Sequence, residues 1–307
     1  MQPLDLLALC RYRDISWSFL AREAQRQVEV DRLLAGEAVE DSPAARKSLA
    51  ILVEGRSDFA VVRAAVEELV ASTERDGIRL TTVLDDDYPL NLRVVDNLPP
   101  FLFYRGRLDL SDALSVAVVG TRDASQEGLG RARKMSALLA QHHVTVLSGL
   151  ARGIDTAAHS ACLDAGGRTI AVLGSGIRRI YPPENEALAE RIVAAGAVVS
   201  QFWPDASPTK ATFPRRNVVT SGMGQGTVVI EASSTSGAKM QARLAIEHGK
   251  LVFLIASLVT SHKWARSYLG RPRVYEVSDV DDIIRRLRSP EQMRQRANER
   301  VQLAFAL

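Results

Sequence analysis

Between residues 114 and 255 the sequence sets down six short apolar runs, at 115–119, 144–147, 169–173, 197–202, 227–230 and 251–255. Helical patterns lie between them, as at 130–141, 156–165, 185–195 and 237–247. Near-continuous apolar runs, rather than alternating ones, are strands buried on both faces. Such strands, alternating with amphipathic helices, fold as a mainly parallel sheet covered on both sides. The expected fold class is α/β.

The remainder of the chain divides around this pattern. Residues 1–75 show apolar positions three and four apart and no strand-like alternation, which predicts a small helical N-terminal domain. Residues 76–290 form the main domain, beginning with a strand candidate at 78–84. An acidic triplet, Asp85-Asp86-Asp87, follows and reads as a solvated loop. The aromatic run Phe101-Leu102-Phe103-Tyr104 reads as a buried strand or plug. Residues 291–307 read as a helical tail, the end of a charged helical stretch that starts near Asp279.

Of 307 residues, 39 are Lys or Arg and 36 are Asp or Glu. That balance permits an anionic partner without requiring one, so placement decides. The two cysteines, Cys10 and Cys162, have no metal-ligand spacing, which suits a reducing cytoplasm. The run Leu6-Leu7-Ala8-Leu9 is too short for a signal core, and no stretch reaches the length of a membrane span. The expectation is a cytoplasmic protein with no membrane partner.

Four loops at or near strand ends carry the chemistry. Gly120-Thr121-Arg122-Asp123-Ala124-Ser125 offers a glycine, hydroxyls and a forked cation, which suit phosphate. Ser148-Gly149-Leu150-Ala151-Arg152-Gly153-Ile154-Asp155 makes a tight turn into a helix. Backbone N–H groups and the positive helix end would face an anion there, with Asp155 as the helix cap. Its glycines could equally serve only to relieve backbone strain. The third loop is Gly174-Ser175-Gly176-Ile177-Arg178-Arg179, and the fourth is Lys210-Ala211-Thr212-Phe213-Pro214-Arg215-Arg216-Asn217. Together they form a mouth of cations around one aromatic, Phe213, as single-stranded nucleic acid requires. The alternative is a solvated rim with no polymer ligand.

Other chemistries fit poorly. The G-x-G-x-x-G pattern fails at Gly128 and at Gly174, where Arg133 and Arg179 stand in the third glycine's place, so no dinucleotide cofactor is expected. No P-loop, nucleophile elbow or H-E-x-x-H is present. His159 reads as a packed scaffold residue and not a metal ligand. Glu231 ends a strand, where it is either catalytic or, the favoured reading, an acceptor for the backbone N–H groups of Ser234 to Gly237.

The chain resembles the DNA-processing protein A (DprA, or Smf) family over about residues 80–255. The resemblance rests on ordered motifs. The first are Asp87-Tyr88-Pro89 with Leu92, Pro99-Pro100 with Leu102-Phe103 and Gly106, and Val116-Ala117-Val118-Val119-Gly120-Thr121-Arg122. The turn at 148–159 follows, then Ala171-Val172-Leu173-Gly174 with Tyr181-Pro182 and Asn185. Phe213-Pro214-x-Arg216-Asn217 and Val229-Ile230-Glu231-Ala232 with Ser236-Gly237 complete the set. The resemblance implies an extended Rossmann fold without a cofactor, single-stranded DNA binding, a homodimer, and loading of a RecA-type recombinase in natural transformation or recombination. It implies phosphate contacts from Arg122 and the Gly149 to Gly153 loop, and a basic residue at Lys210. It also implies a base pocket lined by Phe213 and shaped by Arg216 and Asn217. Gly120, Thr121, Ser125, Arg152, Gly174 and Arg215 complete the expected binding set, with Asp155, His159 and Glu231 structural and no residue catalytic.

The sequence departs from the family pattern at Gln201, where glutamate is usual, and at Val218, where arginine is usual. It also lacks a Ser/Gly/Asn loop after Phe253, and it is expected to lack the winged helix many members carry. Two rival readings remain. One is a sensor or phosphoribohydrolase-like enzyme for nucleotide derivatives using the same mouth. The other is an adaptor docked through its helical region.

Overall fold

The computed structural model describes residues 1–295. Five helices precede the first strand: α1 (Pro3–Leu9), α2 (Trp17–Gln25), α3 (Val30–Leu34), α4 (Pro43–Glu54) and α5 (Phe59–Arg75). Their starts follow local chemistry. The hydroxyl of Ser16 accepts from Phe19 N–H to cap α2, and Ser42 does the same for α4, with Pro43 at the first helical position.

The sheet has nine strands: β1 (Arg79–Thr82), β2 (Phe101–Gly106), β3 (Ser115–Gly120), β4 (Thr145–Ser148), β5 (Thr169–Val172), β6 (Ala197–Ser200), β7 (Gly226–Glu231), β8 (Leu251–Ile255) and β9 (Val274–Val277). Their spatial order is β1-β2-β6-β5-β4-β3-β7-β8-β9. The first two strands and the β2–β6 pair run antiparallel, and all other pairs are parallel. The helices α6 (Gln126–Gln141), α7 (Ile154–Asp164), α8 (Glu186–Ala195), α9 (Thr212–Met223) and α10 (Gly237–Glu247) intervene, followed by α11 (Ala256–Ser261), α12 (Lys263–Tyr268) and α13 (Asp281–Ile284). This is the expected α/β architecture. All six apolar runs are strands, and the aromatic run is β2.

From β3 the chain adds β4, β5 and β6 on one side, then returns to lay β7 against the free side of β3. The reversal opens a crevice at the carboxyl end of β3, where open α/β sheets bind ligands. Its walls rest on side chains with no solvent exposure, among them Val116, Val118, Val146, Leu147, Val228 and Phe253.

Three expectations need adjustment. The β9 strand was not anticipated, because Val274-Tyr275-Glu276-Val277 is short and half polar. The acidic triplet is only partly a solvated loop: Asp85 accepts from the N–H and hydroxyl of Thr82, and Asp87 from the hydroxyls of Thr81 and Tyr104. These bonds fasten the connection between β1 and β2. The expected tail at 291–307 lies, from residue 296 onward, outside the described residues.

The helical region is joined to the sheet through one continuous apolar core. The ring of Trp17 on α2 lies 5.0 Å from Phe101 and 6.1 Å from Trp203. Among the described residues, no helix is long and apolar enough to cross a membrane, and no cluster of side chains could hold a metal ion.

Candidate functional site

A cleft of about 350 Å3 occupies the crevice. Residues 119–123 after β3 form one side, and Gly149, Ala151 and Asp155 after β4 form the floor. Phe213, Arg216, Asn217 and Thr220 line it from α9, and Ser233, Ser236 and Gln241 close it beyond β7. A smaller depression adjoins it, sharing Arg122, Gly149, Ala151, Phe213 and Arg216 and adding Gly174 and Tyr181. The α9 residues that face the cleft are three, four and seven positions apart, one face of a helix.

The two glycine loops exist to let large side chains approach. A Cβ on Gly149 would sit 1.5 Å from Nη1 of Arg216, and one on Gly174 would sit 2.7 Å from the Phe213 ring. Gly153 adopts φ 73°, the left-handed region open to glycine, and stands as N-cap of α7. Its neighbours place the two cations. The Arg216 guanidinium, 8% exposed, donates from Nη1 to the carbonyl of Val172 at 2.9 Å and from Nε to Asn217 Oδ1 at 3.1 Å. No carboxylate pairs with it within salt-bridge distance among the described residues, and burial lowers its pKa. The exposed Arg122 lies over the Phe213 ring at 5.1 Å, and Tyr181 stands 6.0 Å from the same ring. An aromatic ring that shares a cleft with two cations, neither paired with a carboxylate among the described residues, can hold a base and its phosphates.

The buried groups beneath are scaffold. Asp155 is not the cap of α7. Its carboxylate accepts instead from the backbone N–H of Gly149 at 3.1 Å and Ala151 at 3.3 Å, because as the second helical residue it points back over the loop. Burial pushes its carboxyl up, and nearby Arg216 opposes that. His159 is fully buried, with Nδ1 2.7 Å from the Thr169 hydroxyl. That hydroxyl donates to the Val146 carbonyl, so Nδ1 carries the proton and Nε2 is left bare and unpartnered. Burial, then Arg216, takes its pKa down to about 3. The imidazole is a packed residue, as expected.

Several expected residues lie elsewhere. Ser125 is the N-cap of α6: its hydroxyl accepts from Gly128 N–H and donates to Glu231 at 2.6 Å. Glu231 also accepts from Ser125 N–H at 3.1 Å, and not from the N–H groups of Ser234 to Gly237. The carboxylate thus occupies the helix end where a phosphate would otherwise sit. Arg152 is exposed but paired with Glu184. Arg178 is turned away from the mouth, bonded to Asp76, Asp205 and Ser72, which ties the end of α5 to the sheet domain. Arg215 leaves the opposite face of α9 and lies over Trp17 and Phe202. Lys210 is exposed on the loop leading into α9, outside the cleft lining. Gly120 and Thr121 line the cleft. The serines beyond β7 and Tyr181 were missed. The serines stand at a strand's carboxyl end, the signal that identified the other loops.

The family model of DNA recombination-mediator protein A matches residues 79–288, which hold the sheet, the cleft and both arginines of its mouth. The chain belongs to this family. Protein Smf of Synechocystis is 42% identical over 173 residues, covering 55% of this chain and 44% of that protein. The DNA processing protein DprA of Streptococcus pneumoniae is 41% identical over 174 residues, covering 57% and 61%. The chain thus matches about half of the length of these curated relatives. The X-ray structure of the Streptococcus pneumoniae protein superimposes with a TM-score of 0.75 at 29% identity, covering 94% of this chain and 99% of that one. A Helicobacter pylori DNA processing protein A, described for its single-stranded DNA binding mode, shares the fold with a TM-score of 0.59 at 23% identity, covering 67% and 94%. Gln201 and Val218, two of the positions where the sequence reading finds a departure from the family pattern, fall together beside Arg215.

Proposed function

We propose that the chain binds single-stranded DNA in the crevice at β3, in DNA uptake or recombination, and acts by binding and not by catalysis. The observation that carries this reading is the Phe213 ring beside Arg122 in one cleft with the buried Arg216. A stacked base with cations on its phosphates is the arrangement single strands require, and it ignores base identity because every base has a flat face. The relatives' names and the Helicobacter pylori protein's described binding mode support the same ligand. Glu231, bonded to Ser125, is no free base, which weighs against the hydrolase reading. The membership also favours a homodimer that passes its strand to a RecA-type recombinase. Mass measurement in solution and a strand-exchange assay test those two points.

The main test is fluorescence anisotropy with a labelled strand of about 20 nucleotides and the matching duplex, across a salt series. The single strand is expected to bind well above the duplex, with log affinity falling linearly in log salt. Arg122→Ala should shrink that slope by about one, and Phe213→Ala should weaken binding by about 1–3 kcal/mol with the slope unchanged. Equal affinity for duplex, or no binding at low salt, would overturn the reading.

A further inference from the structure

The far face of α9 carries a second cleft, of about 250 Å3, walled by Trp17, Asn97, Pro99, Gln201, Arg215 and Val218. The Arg215 guanidinium lies 5.0 Å from the Trp17 ring centre and 5.4 Å from that of Phe202. It makes no ion pair and no side-chain hydrogen bond among the described residues. A guanidinium laid on two rings has little rotational freedom, so its fork of donors is aimed and unfilled. Aimed, unfilled forks receive oxyanions, and phosphate or carboxylate suits them best.

The rest of the cleft narrows the choice. Gln201 is 6% exposed, and its Nε2 donates to the Arg215 carbonyl at 2.6 Å. The amide is therefore fixed, with Oε1 left as an acceptor that takes no hydrogen bond among the described residues. Asn97 has its Oδ1 2.9 Å from His248 Nε2, which leaves its Nδ2 as an unfilled donor. Pro99 and Val218 supply an apolar wall. A ligand that satisfies all of these has an oxyanion at one end and a flat body with both a donor and an acceptor on its edge. A simple carboxylate has no such edge, whereas a nucleobase does.

We propose that this cleft binds a nucleoside monophosphate unit, its phosphate on Arg215 and its base edge against Gln201 and Asn97. The unit comes either from a free nucleotide or from a strand that also engages the first cleft, since α9 presents both. The strand source rests on the function proposed above, but the nucleotide site does not.

Thymidine 5′-monophosphate is the probe, titrated into the full chain and followed by tryptophan fluorescence, with Trp17 the reporter in the wall. Arg122→Ala removes a phosphate contact from the first cleft and should keep the signal. Arg215→Ala should weaken binding by about tenfold or more. Because that change also removes a stacked side chain, Val218→Glu is made in parallel. It leaves Arg215 on its rings and sets a carboxylate beside it, with the same expected loss and an unaltered melting temperature. Thymidine without phosphate should bind about tenfold more weakly than the monophosphate. If Val218→Glu also weakens binding of the 20-nucleotide strand, the strand is the source, and if it does not, the free nucleotide is. Absence of saturable binding, binding that survives Val218→Glu, loss of the signal with Arg122→Ala, or tighter binding of N-acetylphenylalanine would each overturn the proposal. Failure of the strand to bind wild type, with the monophosphate signal intact, would count against the proposed function and leave this site standing.

Discussion

Arg215 and Arg216 are adjacent in the chain and leave α9 on opposite sides, into two clefts built on different principles. Arg216 is buried, and its place exists because Gly149 has no side chain and the Val172 carbonyl accepts its proton. Arg215 is half in solvent and is held by the faces of Trp17 and Phe202. Burying a cation without a carboxylate is costly, and only fixed dipoles and close packing hold it there. Laying a cation on rings costs little, because part of it stays in solvent, and still fixes the direction of its donors. Folding stability should therefore depend strongly on packing at the first cleft and only weakly on the side chains of the second.

The largest expected effect breaks or sharpens that contrast directly. Gly149→Val puts a side chain into the space of the Arg216 guanidinium, so the cation must leave its pocket. Stability should fall by about 2–4 kcal/mol in urea unfolding, from overpacking and from the displaced charge. Strand affinity should fall by about a hundredfold in the anisotropy assay, because the two losses fall on one site. Arg215→Ala, by comparison, should cost about 1 kcal/mol of stability. Equal costs for the two changes would show that the clefts do not differ in the way described.

A smaller effect comes from the histidines beneath the two clefts. His159 lies in the core under the first and is held neutral with a pKa of about 3, by burial and then Arg216. His248 bonds Ser221 of α9 and Asn97 at the second, and burial followed by Lys250 takes it down to about 4. In the unfolded chain both titrate near about 6.5. Below that pH the unfolded chain binds protons that the folded chain refuses, so stability is complete above about 6.5 and falls as the solution is acidified toward the folded values. Between pH 7 and 5.5 the loss should be about 1 kcal/mol for His159, and less for His248, which solvent reaches. Asp155, whose carboxyl burial pushes up, acts in the opposite sense. Urea unfolding at the two pH values, repeated with His159→Asn, should show the slope reduced by the larger share. An unchanged slope would mean that His159 is not held neutral.

The parts of this molecule legible in the sequence are those whose cause is local. Six buried strands announce themselves because each is a near-continuous apolar run and not an alternating one. The turn at Gly149 to Gly153 is visible because a glycine pair before a helix has few other uses. The direction of a side chain is another matter. Arg215, Arg216 and Arg178 look alike as letters, and only the register of α9 and the placement of α5 send one to the floor, one to the far side and one to an ionic tie. Asp155 stands just before the helical pattern at 156–165, yet α7 begins two residues earlier, at Ile154 with Gly153 as its cap, and that shift turns the carboxylate onto the loop. Glu231 was expected to serve the loop after its own strand. Its true partner, Ser125, lies 106 residues away in sequence but close in space, because β7 pairs with β3 and Ser125 caps the helix that follows β3.

The smallest effect concerns the rim of the first cleft, where Arg152 is held by Glu184 and both side chains are largely solvent-exposed. The pair holds Glu184 below the usual carboxylate range and Arg152 above its own, so the cation is already neutralised where a strand would pass. Exposed pairs are weak and salt-screened, and separating one alters the fold little. Glu184→Gln should therefore leave the melting temperature in place and free Arg152 for the phosphate backbone. Strand affinity should rise about threefold at low salt, with the advantage lost as salt increases and the slope of log affinity against log salt steepened by up to about one. Arg152→Ala, which removes a cation that is already paired, should change affinity less than Arg122→Ala does. An affinity that falls with Glu184→Gln would show that the pair positions the Gly149 to Gly153 loop and does not merely mask its charge.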